Sequence, residues 1–169
     1  PGGNTLIGTE LVARAPADGY TIMLTTLTFT VVPTLYKKLP YDALRDFTPL
    51  TLAVTLPNVL VIHPAVPART LKEFISHAKA NPGKLSYAST GSGTSPHLSM
   101  ELLKSMADID LVHVPYKGGA PAMTDLIGGQ VVAQFIGLPV AMPHITSGKL
   151  RALGVTSNKR ASVAPNIPT

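Results

Sequence analysis

The chain has 169 residues, 45% of them hydrophobic and 14% charged, with a net charge of +5 and a pI near 9.6. That composition builds a core and argues against disorder, and no apolar run reaches the ~18–20 residues that a membrane-crossing helix needs. Cysteine is absent, which excludes disulfides, thiolate catalysis, iron–sulfur clusters and cysteine zinc sites. The basic residues are dispersed, with Lys37-Lys38 and Lys159-Arg160 as the densest doublets, and there is no tryptophan. Without a basic stripe or stacking aromatics, nucleic acid is not an expected partner.

Residues 1–57 read as part of a small α/β unit. IGTELVARA predicts a helix, Ala17-Asp18-Gly19 a turn and YTIMLTT a strand, while LYKKLPYDALRDFTPL is a proline-punctuated run of short turns. From residue 58 the alternation is regular. NVLVIHP (58–64) is short, apolar and β-branched, as strands are. Thr70-Leu71-Lys72-Glu73 is a capping box, opening a helix with Leu71, Phe74, Ile75 and Ala78 on one face and Asn81-Pro82-Gly83 as its stop. LSYAS (85–89) is the next strand, and the helix beyond it carries Leu98, Leu102 and Met106 at i, i+4, i+8. LVHVPY (111–116) is a third strand, followed by a short helix with Pro121 at its first position and Gly128-Gly129 at its end. VVAQFIG (131–137), a helix near 139–146 and LRALGVTS (150–157) complete the series. Such alternation predicts a mostly parallel sheet with helices on both faces. The tail NKRASVAPNIPT is expected to end in a loop with nothing to pack it.

The stretch ASTGSGTSPHL (88–98) joins a strand to a helix through glycine and hydroxyl residues. As a dinucleotide fingerprint it fails at the third glycine, which is Pro96, and no acidic residue closes the next strand. There is no G-K-[ST] of a P-loop and no G-x-S-x-G elbow. The five histidines (63, 77, 97, 113, 144) are scattered without metal spacing, so neither a metal site nor a catalytic constellation is expected; His97 alone lies in the first turn of this helix. An anion is a better match. Pro96 at the first helical position holds Ser95 extended as an N-cap. The hydroxyls of Ser92, Thr94 and Ser95, with Gly93 between them, then converge on free first-turn N–H groups and the positive end of the helix. Capping and anion binding use the same N–H groups, and locally both readings stand. VPYKGGAPA (114–122) repeats the architecture, with Tyr116, Lys117 and Gly119 beside a second helix start. In a parallel sheet the two loops share the carboxyl edge, where α/β proteins bind ligands.

Taken in order, PADGYT, LYKKLPYDALRDFTPL, PNVLVIHP, ANPGKLSYASTGSGTSPHLSMELLKSM, VHVPYKGGAPAMTDLIGGQV and GKLRALGVTSNKR followed by PNIPT closely resemble the Bug-type substrate-binding proteins of tripartite tricarboxylate transporters. The resemblance implies a periplasmic-binding-protein-like (type II) α/β fold of two lobes: residues 1–57 a partial first lobe, 58–157 a second lobe, and 158–169 a return toward the first. It implies a periplasmic receptor, not an enzyme, that holds a small mono- or dicarboxylate without a cofactor and delivers it to membrane components of the transporter. PGGNT looks like the family's first ligand loop, which would place Gly2 and Gly3 at the site, or else like a variant glycine stretch preceding the later segment LIGTELVARAPADGYT; Phe135 and Ile136 are expected to close the site's aliphatic side. Relatives often carry an acid in the phrase aligned with Gln134-Phe135-Ile136-Gly137, where Ile136 is apolar, and polar residues where Phe29 and Val32 stand, so either a less polar ligand or a weakened site is expected. The other reading that a two-lobe fold allows is a cytoplasmic domain sensing a small effector, but no helix-turn-helix is visible to support it. Family members extend beyond this chain at both ends, so it is expected to be a truncated form whose incomplete first lobe leaves a strand edge open to self-association.

Overall fold

A computed structural model describes residues 5–169; the expected Gly2-Gly3 loop lies outside the described residues. The chain divides between Val54 and Thr55 into two compact units.

The first unit contains α1 (Leu6–Ala13) and α2 (Leu27–Leu35). Asp18 accepts the backbone N–H of Tyr20 through Oδ1 at 3.0 Å, and Gly19, at φ 84°, completes the expected turn. YTIMLTT is not a strand. It runs without a ladder, with Tyr20, Ile22 and Leu24 exposed, because the described residues of this unit supply no partner strand and a lone strand has no hydrogen bonds to gain. Helix α2 was not legible: Thr28, Val31 and Val32 are β-branched and Pro33 lies inside it, which is poor helix chemistry. Packing overrides propensity here. Val32 is fully buried, and the Phe29 ring stacks parallel to Tyr41 at 6.3 Å and meets Phe47 edge-on at 5.2 Å.

The second unit is a five-stranded sheet in the order β3-β2-β4-β1-β5. The elements are β1 (Asn58–Ile62), α3 (Leu71–Ala80), β2 (Ser86–Ser89), α4 (Ser95–Ala107), β3 (Val112–Pro115), α5 (Gly119–Ile127), β4 (Ala133–Gly137), α6 (Leu138–Thr146) and β5 (Arg151–Val155). The mostly parallel expectation is corrected at one strand. β2 pairs parallel with β3 and β4, but β1 lies antiparallel between β4 and β5. Periodicity reports that β1 is a buried strand, not which way it runs.

Both faces of the sheet are covered. Val59, Val61, Ala88, Ile136 and Val155 face α5 and α6 in one cluster. Their alternate neighbours Leu60, Ile62, Tyr87, Phe135 and Leu153 join Phe74 of α3 and Met100 of α4 in the other. The capping box forms: Thr70 Oγ1 accepts the Glu73 N–H, while Glu73 Oε2 accepts from Arg69 N, one residue earlier than the usual reciprocal bond. In α4 the buried face is Met100, Leu103 and Ala107, not Leu98, Leu102 and Met106; Leu102 is 61% and Met106 78% exposed. Several apolar ridges compete on this helix, and polar bonds select the rotation. Asn58 reaches Ser95, and Tyr87 reaches Glu101. The tail also departs from expectation. Ala164 and Ile167 are buried in the α5–α6 cluster, and Pro168 O accepts the Val155 N–H at 2.8 Å, so residues 158–169 pack along β5.

Candidate ligand site

Strand direction decides what meets at one edge of this sheet. β2, β3 and β4 run the same way, so the loops that start α4, α5 and α6 all emerge together. Because β1 is antiparallel, its first residue, Asn58, arrives at that same edge, opposite Gly137. β5 brings its last residues there too: Asn58 N donates to Thr156 Oγ1 at 3.0 Å and Thr156 N to Asn58 O at 2.9 Å.

The three helix starts share the lack of a side-chain cap, although at α6 the first N–H is already taken, Leu138 N donating to Pro57 O at 3.1 Å. The N-cap positions of α4, α5 and α6 are Thr94, Gly118 and Gly137, and none makes a side-chain cap bond. Helix α3 starts at the opposite edge and is capped by Thr70. First-turn N–H groups of an uncapped helix need an outside acceptor, water or ligand, and the partial positive charge there favours an anion. Gly118 (φ 117°) adopts a backbone conformation that a side chain would strain, and a Cβ there would meet only open space. The strand edge near α5 is accordingly open to a visitor.

The expected site residues fall into three groups. Gly93, Thr94, Ser95 and His97 come together at the start of α4, with Ser92 exposed on the same loop. Ser95 is not the N-cap but the first helical residue, and Pro96 the second; its Oγ accepts from Asn58 Nδ2 at 2.5 Å. Thr94 Oγ1 donates to Gly91 O at 2.7 Å, tightening the loop rather than pointing outward, and Gly93 N donates to His97 Nδ1 at 3.2 Å. The second group, Tyr116, Lys117 and Gly119, lies on the neighbouring loop, which the Tyr116 N–H ties to Ser89 O at 3.0 Å. Pro121 sits two residues inside α5 rather than at its start. The Tyr116 hydroxyl is turned away, donating to Asp125 Oδ2 at 2.6 Å; burial and then that carboxylate push its pKa up to about 12, so it stays a neutral phenol committed to α5. Lys117 is exposed. The third group, Phe135 and Ile136, does not line a shared wall. At 7% and 5% exposure they point to opposite faces of the sheet, into different core clusters, as adjacent strand residues must.

Asn58, Thr156 and Lys159 are additions that sequence reading missed. A cavity of about 450 Å³ opens at this edge, lined among others by Leu56, Pro57, Leu138, Thr156, Ser157 and Lys159. Its walls combine aliphatic groups, hydroxyls and one cation. No local motif marks Asn58; only the reversed direction of β1 brings it to the site.

Behind the α4 loop is a second layer of polar groups. Ser89 Oγ lies 2.7 Å from His113 Nε2 and bonds both N and O of Gly91 at 3.2 Å. A serine–histidine pair at that distance has the reach of an activated nucleophile, but Ser89 is fully buried and its hydroxyl is spent on the loop. The His97 and His113 rings touch, with centroids 4.3 Å apart, and Tyr87 stacks on His113 at 4.9 Å. Glu101 Oε1 accepts from Tyr87 at 2.5 Å and from Lys104 at 2.9 Å. Burial opposes its ionisation, yet those two donors hold its pKa below the usual carboxylate value. Among the described residues no group of three or more His, Asp or Glu is placed to hold a metal.

A family model described as "Tripartite tricarboxylate transporter family receptor" matches residues 1–169. The chain is 42% identical over 168 residues to the "UPF0065 protein in tcbD-tcbE intergenic region" of Pseudomonas sp. (strain P51), covering 99% of this chain and 50% of that protein. It thus spans about half the length of the curated relatives it matches. Among solved structures it is similar to R. palustris Rpa4515 with adipate (36% identity, TM-score 0.92). It is likewise similar to periplasmic binding protein BugD (39%, 0.91) and to MatC (Rpa3494) from Rhodopseudomonas palustris with bound malate (31%, 0.88). The match covers 99% of this chain in each, and 56%, 56% and 57% of those chains respectively.

Proposed function

Since the chain belongs to the tripartite tricarboxylate transporter receptor family, we propose that it captures a small mono- or dicarboxylate in the periplasm and presents it to the membrane components of such a transporter. The observation that carries this reading is the set of three uncapped helix starts sharing one sheet edge, against the capped start of α3 at the other. The dicarboxylates adipate and malate in two structural neighbours support the ligand class.

In this reading the α4 start holds one carboxylate through its first-turn N–H groups and Ser95. A hydroxyl has one proton and two lone pairs. Ser95 Oγ already accepts from Asn58, so its proton is left to donate outward to a charged acceptor. Gly118 and Gly119 give the ligand backbone access at α5, and Lys117 and Lys159 supply positive charge. No turnover is expected: Ser89 is fully buried with its hydroxyl committed to Gly91, and the family is one of receptors.

A thermal-shift series with adipate, malate, succinate, a monocarboxylate and ATP tests the proposal. A ligand at 100 times its Kd should add about 2.7 kcal/mol of stability. Stabilisation by a carboxylate and not by ATP supports the reading; a response to ATP alone overturns it.

A further inference from the structure

The two contacting histidines behind the α4 loop hold that loop at two successive points. His97 Nδ1 accepts the Gly93 N–H at 3.2 Å. His113 Nε2 bonds Ser89 Oγ at 2.7 Å, and Ser89 Oγ accepts the Gly91 N–H at 3.2 Å. Thr94, whose hydroxyl and N–H both bond Gly91 O, closes the turn between these points. We propose that His97 and His113 are positioning residues for the anion loop, and that the Gly93–His97 joint makes the loop acid-releasable.

The chemistry is asymmetric between the rings. An imidazole accepts through Nδ1 only when Nε2 carries its single proton; the imidazolium has donors at both nitrogens. Protonating His97 therefore turns the Gly93 contact into two opposed N–H groups, and the loop must leave. His113 differs, because Nε2–H can donate to Ser89 Oγ in either charge state. Among the described residues, the charged and titratable groups that act on the pair are Tyr87 of β2, stacked on His113, and Glu101 and Lys104 of α4. Burial is the largest influence on both rings and lowers both pKa values; Lys104 lowers them further and Glu101 works the other way. His113 is additionally lowered by His97, and of the two rings only His97 loses its acceptor role when it takes a proton.

The importance of the loop rests on the function proposed above; the clamp can be tested without ligand. Amide exchange at Gly93 and the ring resonances of both histidines are followed by NMR on the unliganded chain as pH falls. Gly93 exchange should accelerate, beyond its intrinsic pH dependence, with the midpoint of His97, by about tenfold if one ordinary hydrogen bond is lost. His97→Asn places an uncharged oxygen near the Nδ1 position and should keep Gly93 protected throughout the acid range. His97→Phe, which keeps ring volume without an acceptor, should leave Gly93 unprotected at all pH values. Gly93 protection that ignores the His97 titration, or that titrates unchanged in His97→Asn, overturns the proposal. Adipate titrations on the same samples separate the two readings: absence of binding at neutral pH counts against the carboxylate assignment, whereas binding whose pH profile is the same in wild type and His97→Asn counts against the clamp.

Discussion

Asn58, half-buried, and Gln134, fully buried, are two amides with opposite prospects. Asn58 uses its side chain to donate to Ser95 and, more weakly at 3.5 Å, to Ser99, and so leaves the Ser95 hydroxyl to give its proton to another acceptor. Asn58→Leu removes that instruction. It should cost about 1 kcal/mol of stability, the net worth of an ordinary hydrogen bond, and about tenfold in carboxylate affinity, read by calorimetric titration. Unchanged affinity would mean that Ser95 takes no part in binding. Gln134, the second residue of β4, is fully buried, and neither Nε2 nor Oε1 has a partner. Orphaned buried polar groups cost about 1–3 kcal/mol. Gln134→Leu, close in size, should therefore raise the urea midpoint by about 1–2 kcal/mol of stability; a lowered midpoint would refute this account of the amide. Of these residues only Ser95 was legible beforehand. A hydroxyl before Pro96 announces a helix start, whereas the value of Asn58 depends on a strand direction that no local pattern carries.

At the scale of elements, what could be read was whatever is enforced locally. The capping box fixes the start of α3 through bonds within four residues, and Asn81-Pro82-Gly83 ends it with Gly83 at φ 67°. What could not be read was set at a distance: the rotation of α4, the reversal of β1, and the failure of YTIMLTT to find a partner. The rotation of α4 predicts a contrast. Met100→Ala should cost about 2–5 kcal/mol as a core truncation, while Leu102→Ala, on the exposed side, should stay within about 0.5 kcal/mol; comparable losses in chemical denaturation would place the core face where periodicity first put it. The histidine pair formed by α4 and β3 also couples stability to pH. His97 and His113 have folded-state pKa values below the ordinary 6.5, so the unfolded chain binds more protons as acid is added. Their contribution is present above the unfolded histidine value and is lost as pH falls from there through the lower folded values. Glu101, also lowered, adds a loss of the same sign further down, through the carboxylate range. Denaturation midpoints should therefore fall between about pH 7.5 and pH 5.5, and a flat profile there would mean that the two rings are as easily protonated folded as unfolded.

For the molecule as a whole, the two units differ in how completely each encloses its apolar surface. Every member of the two large core clusters falls between Val59 and Ile167, within residues 55–169. The first unit buries little besides Val32 and Tyr41 among its described hydrophobic residues, and it exposes Tyr20, Ile22 and Leu24 on one extended run and Leu50, Leu52 and Val54 on another. Such rows, with backbone groups outside any ladder, are templates for another chain. Residues 55–169 produced alone should therefore unfold cooperatively and stay monodisperse, because they keep both faces of the sheet covered. The full chain should associate through residues 5–54, and charged substitutions at Ile22 and Leu52 should reverse that association without moving the transition of the second unit. Light scattering with thermal denaturation on the three proteins decides it. A 169-residue chain that is already monomeric would mean that the exposed rows of the first unit are not adhesive, and equal association of residues 55–169 would move the adhesive surface to the second unit, to its β3 edge or to the edge where α4, α5 and α6 start.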